Sequence, residues 1–481
     1  MNERVDFGYY EDKFSGTEYL KNRPAVWEGI MSYARPHAGV HPVTHHWRKI
    51  TVTDLEFSSV TRVENGKLLI DKGELTTLLR SDPNIKDVRL AIARPGESVR
   101  IIPVKDVIEP RLSRIPEYPT FPGVLSAWDP DSDGILSGEI VSLCGMVVTT
   151  VGSIVGFQEG LIDMSGPGAR YSLFSGKHHL VLDISVKDGT ERHEHEKSVR
   201  LAGFKASDYI ARSSLDGPFS SDNRETLNNP TDPGFHGSEK TDVRKRKPKI
   251  AYLYMLQSQG LLHDTYYCGV DVKKMPPRRI VPTEVLFGAI VSGNCVSACD
   301  KNTTYHHQNN PIILELLRRH GKDWNFVGCV ITNENVTLGD KQRSSTLAAE
   351  LIASMNPDGV IVSKEGFGNP DADLMMNCSK IEAHGIKTVL LTDEFAGQAG
   401  ASQSLVDSHP KADAIVSTGN ANEVIVLPPM EEVIGDDRNI TELAGGSSKC
   451  RLPDGSIAIE LQALIGSTNQ LGFERISSRF K

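Results

Sequence analysis

The chain has 481 residues, 39% of them hydrophobic and 24% charged, a length that predicts two or three domains of a globular protein. A formal net charge of −9 excludes the basic face that a nucleic-acid binder uses to neutralise phosphates. No apolar run approaches the roughly 20 residues that span a bilayer, and the charged start MNERVDFGYYEDKFSG has no signal-peptide core, so a cytoplasmic location is expected.

Residues 1–48 read as an arm rich in aromatics, histidine and proline. Its His37, His41, His45 and His46 are loosely spaced and interrupted by Pro36 and Pro42, which favours packing on a neighbour over metal binding. From Lys49 the β-branched runs ITVTDLEF, KLLI, VRLAIA and VRIIPV alternate with acidic or glycine punctuation, and GEIVSLCGMVVTTVGSIVG adds more strands. LVLDISV then leads into a helix predicted from about His193 to Ala211, with Val199, Leu201, Phe204 and Tyr209 on its apolar side. The run His193–Glu194–His195–Glu196 looks like a metal cluster, but histidines two apart point to different helix faces, so a charged helix start is expected. Residues 49–212 are therefore predicted as a β-rich α/β domain. Residues 213–249 are polar, rich in Pro and Gly, and end in KTDVRKRKPK; they read as a solvated linker or insertion.

Residues 250–436 show a cleaner alternation. The apolar strands IAYLYML, NFVGCVIT, DGVIVS, IKTVLLTDE, ADAIVST and EVIVLP include several separated by helix-like stretches such as SSTLAAELIASM and ADLMMNCSKIEAHG. This predicts a second domain with a doubly wound, mainly parallel sheet, whose ligand crevice lies beyond the strands' carboxyl ends. The turns 332–335, 363–369, 392–403 and 417–422 then share one rim, and Glu365, Asn369, Asp393, Ser402 and Gln403 are its candidate substrate ligands. No G-x-G-x-x-G follows a strand, so a dinucleotide is not indicated. The tail, 437–481, carries no readable signal. The seven cysteines are odd in number and contain no CxxC pair, which fits a reducing compartment and excludes a zinc ribbon.

One stretch reads neither as core nor as ordinary loop: FGAIVSGNCVSACDKNTTYHHQNNP, residues 287–311. A β-run over 286–291 is expected to end in Ser292–Gly293–Asn294–Cys295, where Gly and Asn permit a tight, strained turn before a thiol. Attack of the Cys295 thiol on its own preceding carbonyl would give a thioester. Loss of the Cα proton would then expel the upstream chain, and hydrolysis would leave a pyruvoyl group. That chemistry needs oxyanion donors and a base. Hydroxyls and amides abound nearby, and His306, His307 and Asp300 are candidate bases. The residues alone leave a buried structural cysteine as the ordinary alternative.

Residues 49 to about 435 resemble the proprotein subunit of component B of glycine, sarcosine and betaine reductases. The resemblance is carried by IARPGESVRIIPVKDVIEPR (92–111), VGFQEGLIDMSGPGA (155–169), YMLQSQGLLHDTY (254–266), SGNCVSACDKNTTY (292–305), HQNNP (307–311), TNENVTLGDKQRSS (332–345), EGFGNPDADLMMNC (365–378) and GASQSL (400–405). It implies cleavage at Asn294–Cys295 and a pyruvoyl cofactor derived from Cys295. It also implies two partners: the selenoprotein subunit of component B, and selenoprotein A as carboxymethyl acceptor. A small amine is the implied substrate and an oligomer the expected assembly. A carbonyl can condense with glycine or sarcosine but not with the quaternary nitrogen of betaine, which would ask for an aromatic cage. Tyr252, Tyr254, Tyr266, Tyr267 and Tyr305 are candidates for that cage, although core packing is the simpler role. Arg343 and the glycine turns at 366–368 and 397–400 are candidate carboxylate holders. The long arm and His306 depart from the family pattern and favour an N-methylated glycine. A D-proline reductase-like subunit, a self-sufficient pyruvoyl decarboxylase and a non-catalytic scaffold docking a selenoprotein subunit are the alternatives.

Overall fold

The computed structural model describes residues 44–112, 139–156, 159–213, 223–230, 246–260, 262–293 and 301–472. The chain is a mixed α/β protein, and its residues from Pro42 onward cluster as one compact unit. A six-stranded mixed sheet is built around Val99–Ile108, a strand buried along its whole length. The sheet runs in the order Glu432–Gly435, Val99–Ile108, Met146–Gly152, His178–Val186, Ile85–Ala93, and Gly160–Asp163 also pairs with Val99–Ile108. The helix Arg192–Ser213 crosses its face and buries Val199, Phe204 and Tyr209.

A second six-stranded sheet has the order Arg278–Ile280, Asn325–Asn333, Lys249–Leu256, Gly359–Ser363, Lys387–Glu394, Ile415–Asn420. All its pairings are parallel except that of Arg278–Ile280, which runs antiparallel to Asn325–Asn333. The period-2 alternation of Lys249–Leu256 sends Ala251, Leu253 and Met255 to the face that packs on the helices Leu338–Ser354 and Asn369–Ala383. Tyr252, Tyr254 and Leu256 go to the other face, which buries Ile312, Ile313 and Leu316 of the helix Pro311–Arg318.

The two halves of the chain share structure. Glu432–Gly435 joins the first sheet in parallel with Val99–Ile102. The stretch 461–472, in the tail that carried no readable signal, is largely buried, and its Leu464 bridges to Leu161. Other elements also differ from expectation. Asn223–Asn228, inside the segment read as linker, is a strand antiparallel to Thr44–Thr51. Only Leu227 supplies apolar burial there, so its polar surroundings hid the signal. The predicted β-run 286–291 begins instead as a short helix, Pro282–Leu286, because proline's fixed φ suits a first helical position; only Ile290–Val291 is strand. Among the described residues no helix is long and apolar enough to cross a membrane.

Candidate active site

Asn294, Cys295 and Asp300 lie outside the described residues; the residues on either side of them, Ser292–Gly293 and Lys301–Asn302, are buried. The Ser292 N–H donates to Thr304 Oγ1 at 3.1 Å. Thr304 in turn donates its N–H (2.9 Å) and its hydroxyl (2.6 Å) to the carboxylate of Asp106. The Ser292 carbonyl accepts from Arg200 Nη1 at 3.3 Å. Gly293 is demanded by proximity rather than by a left-handed φ: a Cβ there would sit 2.3 Å from the Asp264 carbonyl oxygen. On the downstream side, Lys301 Nζ donates to the Lys105 carbonyl at 2.9 Å, and Arg200 Nη1 donates to the same oxygen at 3.2 Å. Both flanks are thereby tied to one residue of the central strand Val99–Ile108.

The Lys105 ammonium is wholly buried between Glu159 Oε1 at 3.0 Å and Glu196 Oε1 at 2.5 Å. Burial alone would raise Glu196, but Lys105 and Arg200 beside it hold its carboxyl below the ordinary range. Burial pushes the Asp106 carboxyl up. The histidine–glutamate run at 193–196 is therefore more than a charged helix start, because its Glu196 and the following Arg200 face the interior. Buried ions cost several kcal/mol each, so such a concentration makes this cluster part of the candidate site.

The second half of the site surrounds Glu365, one residue beyond Lys364 at the carboxyl end of Gly359–Ser363. Its Oε2 accepts the Gln257 N–H at 2.9 Å and the Thr265 hydroxyl at 3.4 Å, and its Oε1 accepts the Asn302 N–H at 3.2 Å. Burial outweighs these donors and pushes the carboxyl up to about 7. His307 Nε2 stands 4.0 Å from Glu365 Oε1, too long for a direct hydrogen bond. Burial brings His307 down to about 3, so the ring is neutral and the contact is not an ion pair. Its Nδ1 lies 2.5 Å from the Tyr254 hydroxyl. Burial raises Tyr254 far above the ordinary phenol value, so we assign the phenolic proton to this bond and the ring proton to Nε2. Gln257 Oε1, Asn302 Nδ2, His307 Nε2 and Glu334 Oε2 are buried and have no hydrogen-bond partner among the described residues. Each belongs to a residue that touches Glu365: Glu334 Oε1 accepts the Glu365 N–H at 2.9 Å, and the other three contacts are those above.

Beside this lies a third group. Lys364 Nζ is wholly buried, 2.8 Å from Asp371 Oδ1 and 3.6 Å from Asp393 Oδ1. Burial pushes Asp393 up to about 6. The tail supplies Gln470 Nε2 (3.1 Å) and Thr468 Oγ1 (3.3 Å) to the Asp393 carboxylate. It also supplies Asn469 Nδ2 to Asn302 Oδ1 at 2.6 Å.

Of the rim residues read from sequence, Glu365 and Asp393 are buried in these clusters. Asn369 is exposed and bonds Gln259 Oε1 at 3.2 Å, while Ser402 and Gln403 are exposed on the surface. Arg343 is exposed and pairs with Asp340. Tyr252 and Tyr254 stack on each other with centroids 5.3 Å apart inside the core, the packing role. His306 is also buried, against Phe174 at 5.2 Å. No group of metal-ligating side chains exists among the described residues.

Comparison with known proteins places the chain as a whole. The family model of glycine/sarcosine/betaine reductase component B subunits matches residues 44–479. "Glycine reductase complex component B subunits alpha and beta" of Peptoclostridium acidaminophilum is 51% identical over 89% of this chain and 98% of its own. "Sarcosine reductase complex component B subunit alpha" of the same organism is 46% identical over 90% and 98%. The corresponding betaine reductase subunit is 36% identical over 88% and 96%. No solved structure gives a significant match.

Proposed function

The chain belongs to the glycine/sarcosine/betaine reductase component B subunits, and on that premise we propose that it activates glycine or an N-methylated glycine for reductive cleavage of the C–N bond, after being cut at Asn294–Cys295. It is an oxidoreductase subunit. Four buried polar atoms around Glu365 that have no hydrogen-bond partner among the described residues, within one residue of the flank of the 294–300 segment, carry this reading. A zwitterionic amine can satisfy all four: its carboxylate suits Asn302 Nδ2 and the His307 Nε2–H, and its ammonium suits Gln257 Oε1 and Glu334. We read the second sheet as doubly wound. Its switch point then falls between Lys249–Leu256 and Gly359–Ser363, the strands whose carboxyl ends carry Gln257 and Glu365.

A pyruvoyl group at position 295 would supply an electron sink for an amine substrate. The described residues fit it: both flanks are buried among donors, with Ser292 and Lys301 tied to Arg200 and Lys105. Glu365, poised near neutrality, holds or releases a proton at Oε1, and His307 carries one at Nε2. A name that counts subunits alpha and beta in one relative, matched over 98% of its length, supports a chain made whole and then divided.

The reducing equivalents are assigned to partners, the selenoprotein subunit of component B and selenoprotein A as carboxymethyl acceptor. Burial pushes the Cys144 thiol up to about 12 and raises Cys329 and Cys378 as well, which unfits these thiols for attack. We place glycine before an N-methylated glycine as the substrate, a reading supported by the fall in identity from the glycine-named to the sarcosine-named to the betaine-named relatives. The test is turnover of glycine, sarcosine and betaine by the complex reconstituted with its partners. Glu365→Ala should abolish turnover while the chain is still cut; turnover at the wild-type rate in that variant would overturn the assignment.

A further inference from the structure

Resting on cleavage at Asn294–Cys295, we infer that Asp106, Thr304 and Arg200 form a brace that sets the scissile peptide for self-cleavage, as positioning residues. Ser292 stands two residues before Asn294, and the brace holds it at both backbone groups. Its N–H is fixed by Thr304 Oγ1 (3.1 Å) and its carbonyl by Arg200 Nη1 (3.3 Å). Thr304 is fixed in turn. Its hydroxyl proton goes to Asp106 Oδ2 at 2.6 Å and its N–H to Oδ1 at 2.9 Å, so the hydroxyl oxygen is left to accept from Ser292. Arg200 is fixed by the Lys105 carbonyl at 3.2 Å and by Glu196 Oε2 at 3.6 Å. All of these side chains are buried.

Ending a two-residue strand requires nothing of the kind, because water or a plain backbone contact would serve. A carboxylate and a guanidinium withdrawn from water to immobilise one loop residue carry a desolvation penalty. The expense is explained if the backbone just beyond must hold one geometry. In the step concerned the Cys295 sulfur bonds to the Asn294 carbonyl carbon, the C–N bond breaks, and the thiol proton ends on the freed amine. No oxidant or reductant is needed. Fixing both reacting groups in one chain converts such an attack into a highly favoured intramolecular one.

The experiment follows the fraction of full-length chain cut with time after synthesis in vitro, by denaturing electrophoresis, for wild type, Cys295→Ala, Thr304→Val, Thr304→Ser, Asp106→Asn and Arg200→Met. Thr304→Val, Asp106→Asn and Arg200→Met should be cut at least about tenfold more slowly than wild type, the general scale of losing one geometric constraint. Thr304→Ser keeps the hydroxyl and should stay within about twofold of wild type, a rescue that a packing role for the threonine methyl would not give. Folding is checked by near-ultraviolet circular dichroism. If Thr304→Val does not fold, the nearly isosteric Asp106→Asn decides. At neutral pH hydroxylamine cleaves thioesters and spares peptide bonds, the alkali-sensitive Asn65–Gly66 included, so it should leave the folded slow variants intact and place their defect at the first step. Wild-type cleavage rates in all three variants, with Cys295→Ala uncut, would overturn the brace. A wild-type chain as uncut as Cys295→Ala would instead overturn the cleavage itself.

Discussion

Glu365→Gln, made in the uncut Cys295→Ala chain, should change the pH dependence of stability in a way that isolates the burial of this one carboxyl. Its folded pKa is raised from 4.5 to about 7 by burial, against an unfolded value near 4.5. Between those values the folded chain binds the proton and the unfolded chain does not, so stability falls as pH rises through the window. At about 1.4 kcal/mol per unit, the ionised form carries a penalty of roughly 3 kcal/mol above pH 7. Glutamine removes that penalty. It also replaces one acceptor oxygen with an amide where Asn302 or Gln257 now donates, at a cost of about 1–3 kcal/mol at every pH. The offset is constant and the slope is not. The variant should therefore be less stable than its parent at pH 5 and gain about 2–3 kcal/mol relative to it by pH 8. His307 is neutral in the folded chain throughout this range; below the ordinary histidine value of 6.5 its ring takes up a proton on unfolding, which adds the same slope, of opposite sign, to both chains and cancels in the difference. Asp106 and Asp393 contribute to both chains and cancel in the difference; Glu334, which the Glu365 charge helps to raise, is relieved by the same substitution and adds in the same direction. Urea unfolding of both chains at pH 5, 6, 7 and 8 reads the effect. Parallel stability curves would refute the claim that Glu365 is held protonated by burial.

The two pieces of a cut chain should co-purify and separate only in denaturant, because Lys249–Leu256 of the upstream piece is hydrogen-bonded between Asn325–Asn333 and Gly359–Ser363 of the downstream one; separation on a native sizing column would contradict this. His307→Gln should lower turnover by about 10²–10⁴ in the reconstituted complex, the usual weight of a proton-transferring group, and an unchanged kcat would remove His307 from the proton path. Borohydride should fix radiolabelled glycine or sarcosine to the downstream piece and leave betaine unattached, since a quaternary nitrogen cannot condense with a carbonyl. Lys105→Met should destabilise the uncut chain by about 3–5 kcal/mol, because it removes the cation nearest to both Glu159 and Glu196 and leaves them only the longer contacts to Lys301 (3.9 Å) and Arg200 (3.6 Å); thermal melting with no loss would count against that arrangement.

Most strands of both sheets were legible because their apolar, β-branched runs are short and bounded by polar turns, but the short strands Gly160–Asp163, Arg278–Ile280 and Glu432–Gly435 were not. Gly359–Ser363 and Lys387–Glu394 fall where the sequence puts them. Asn223–Asn228 was not legible, since its burial comes from pairing with a strand some 180 positions away rather than from its own composition. His307 and Glu365 could be named from motif resemblance. Their partner Tyr254 and the brace residue Asp106 could not, because Tyr254 reaches His307 across 53 positions and Asp106 reaches Thr304 across 198. A signal did exist: Lys105–Asp106 interrupts the apolar run IIPVKDVI, and charges inside a fully buried strand need a reason. Glu196 and Arg200, four apart on one helix, offered the same hint. The tail gave none, as the amides of Asn469 and Gln470 acquire meaning only from the carboxylate and carbonyl they meet.

Intact mass spectrometry of the purified chain tests the central claim most directly. A self-cleaving subunit gives two polypeptides meeting at Asn294 and position 295, the second lacking a free amino terminus and reacting with a carbonyl-specific hydrazide. A single mass for all 481 residues with an unmodified Cys295 and no hydrazide adduct would contradict it.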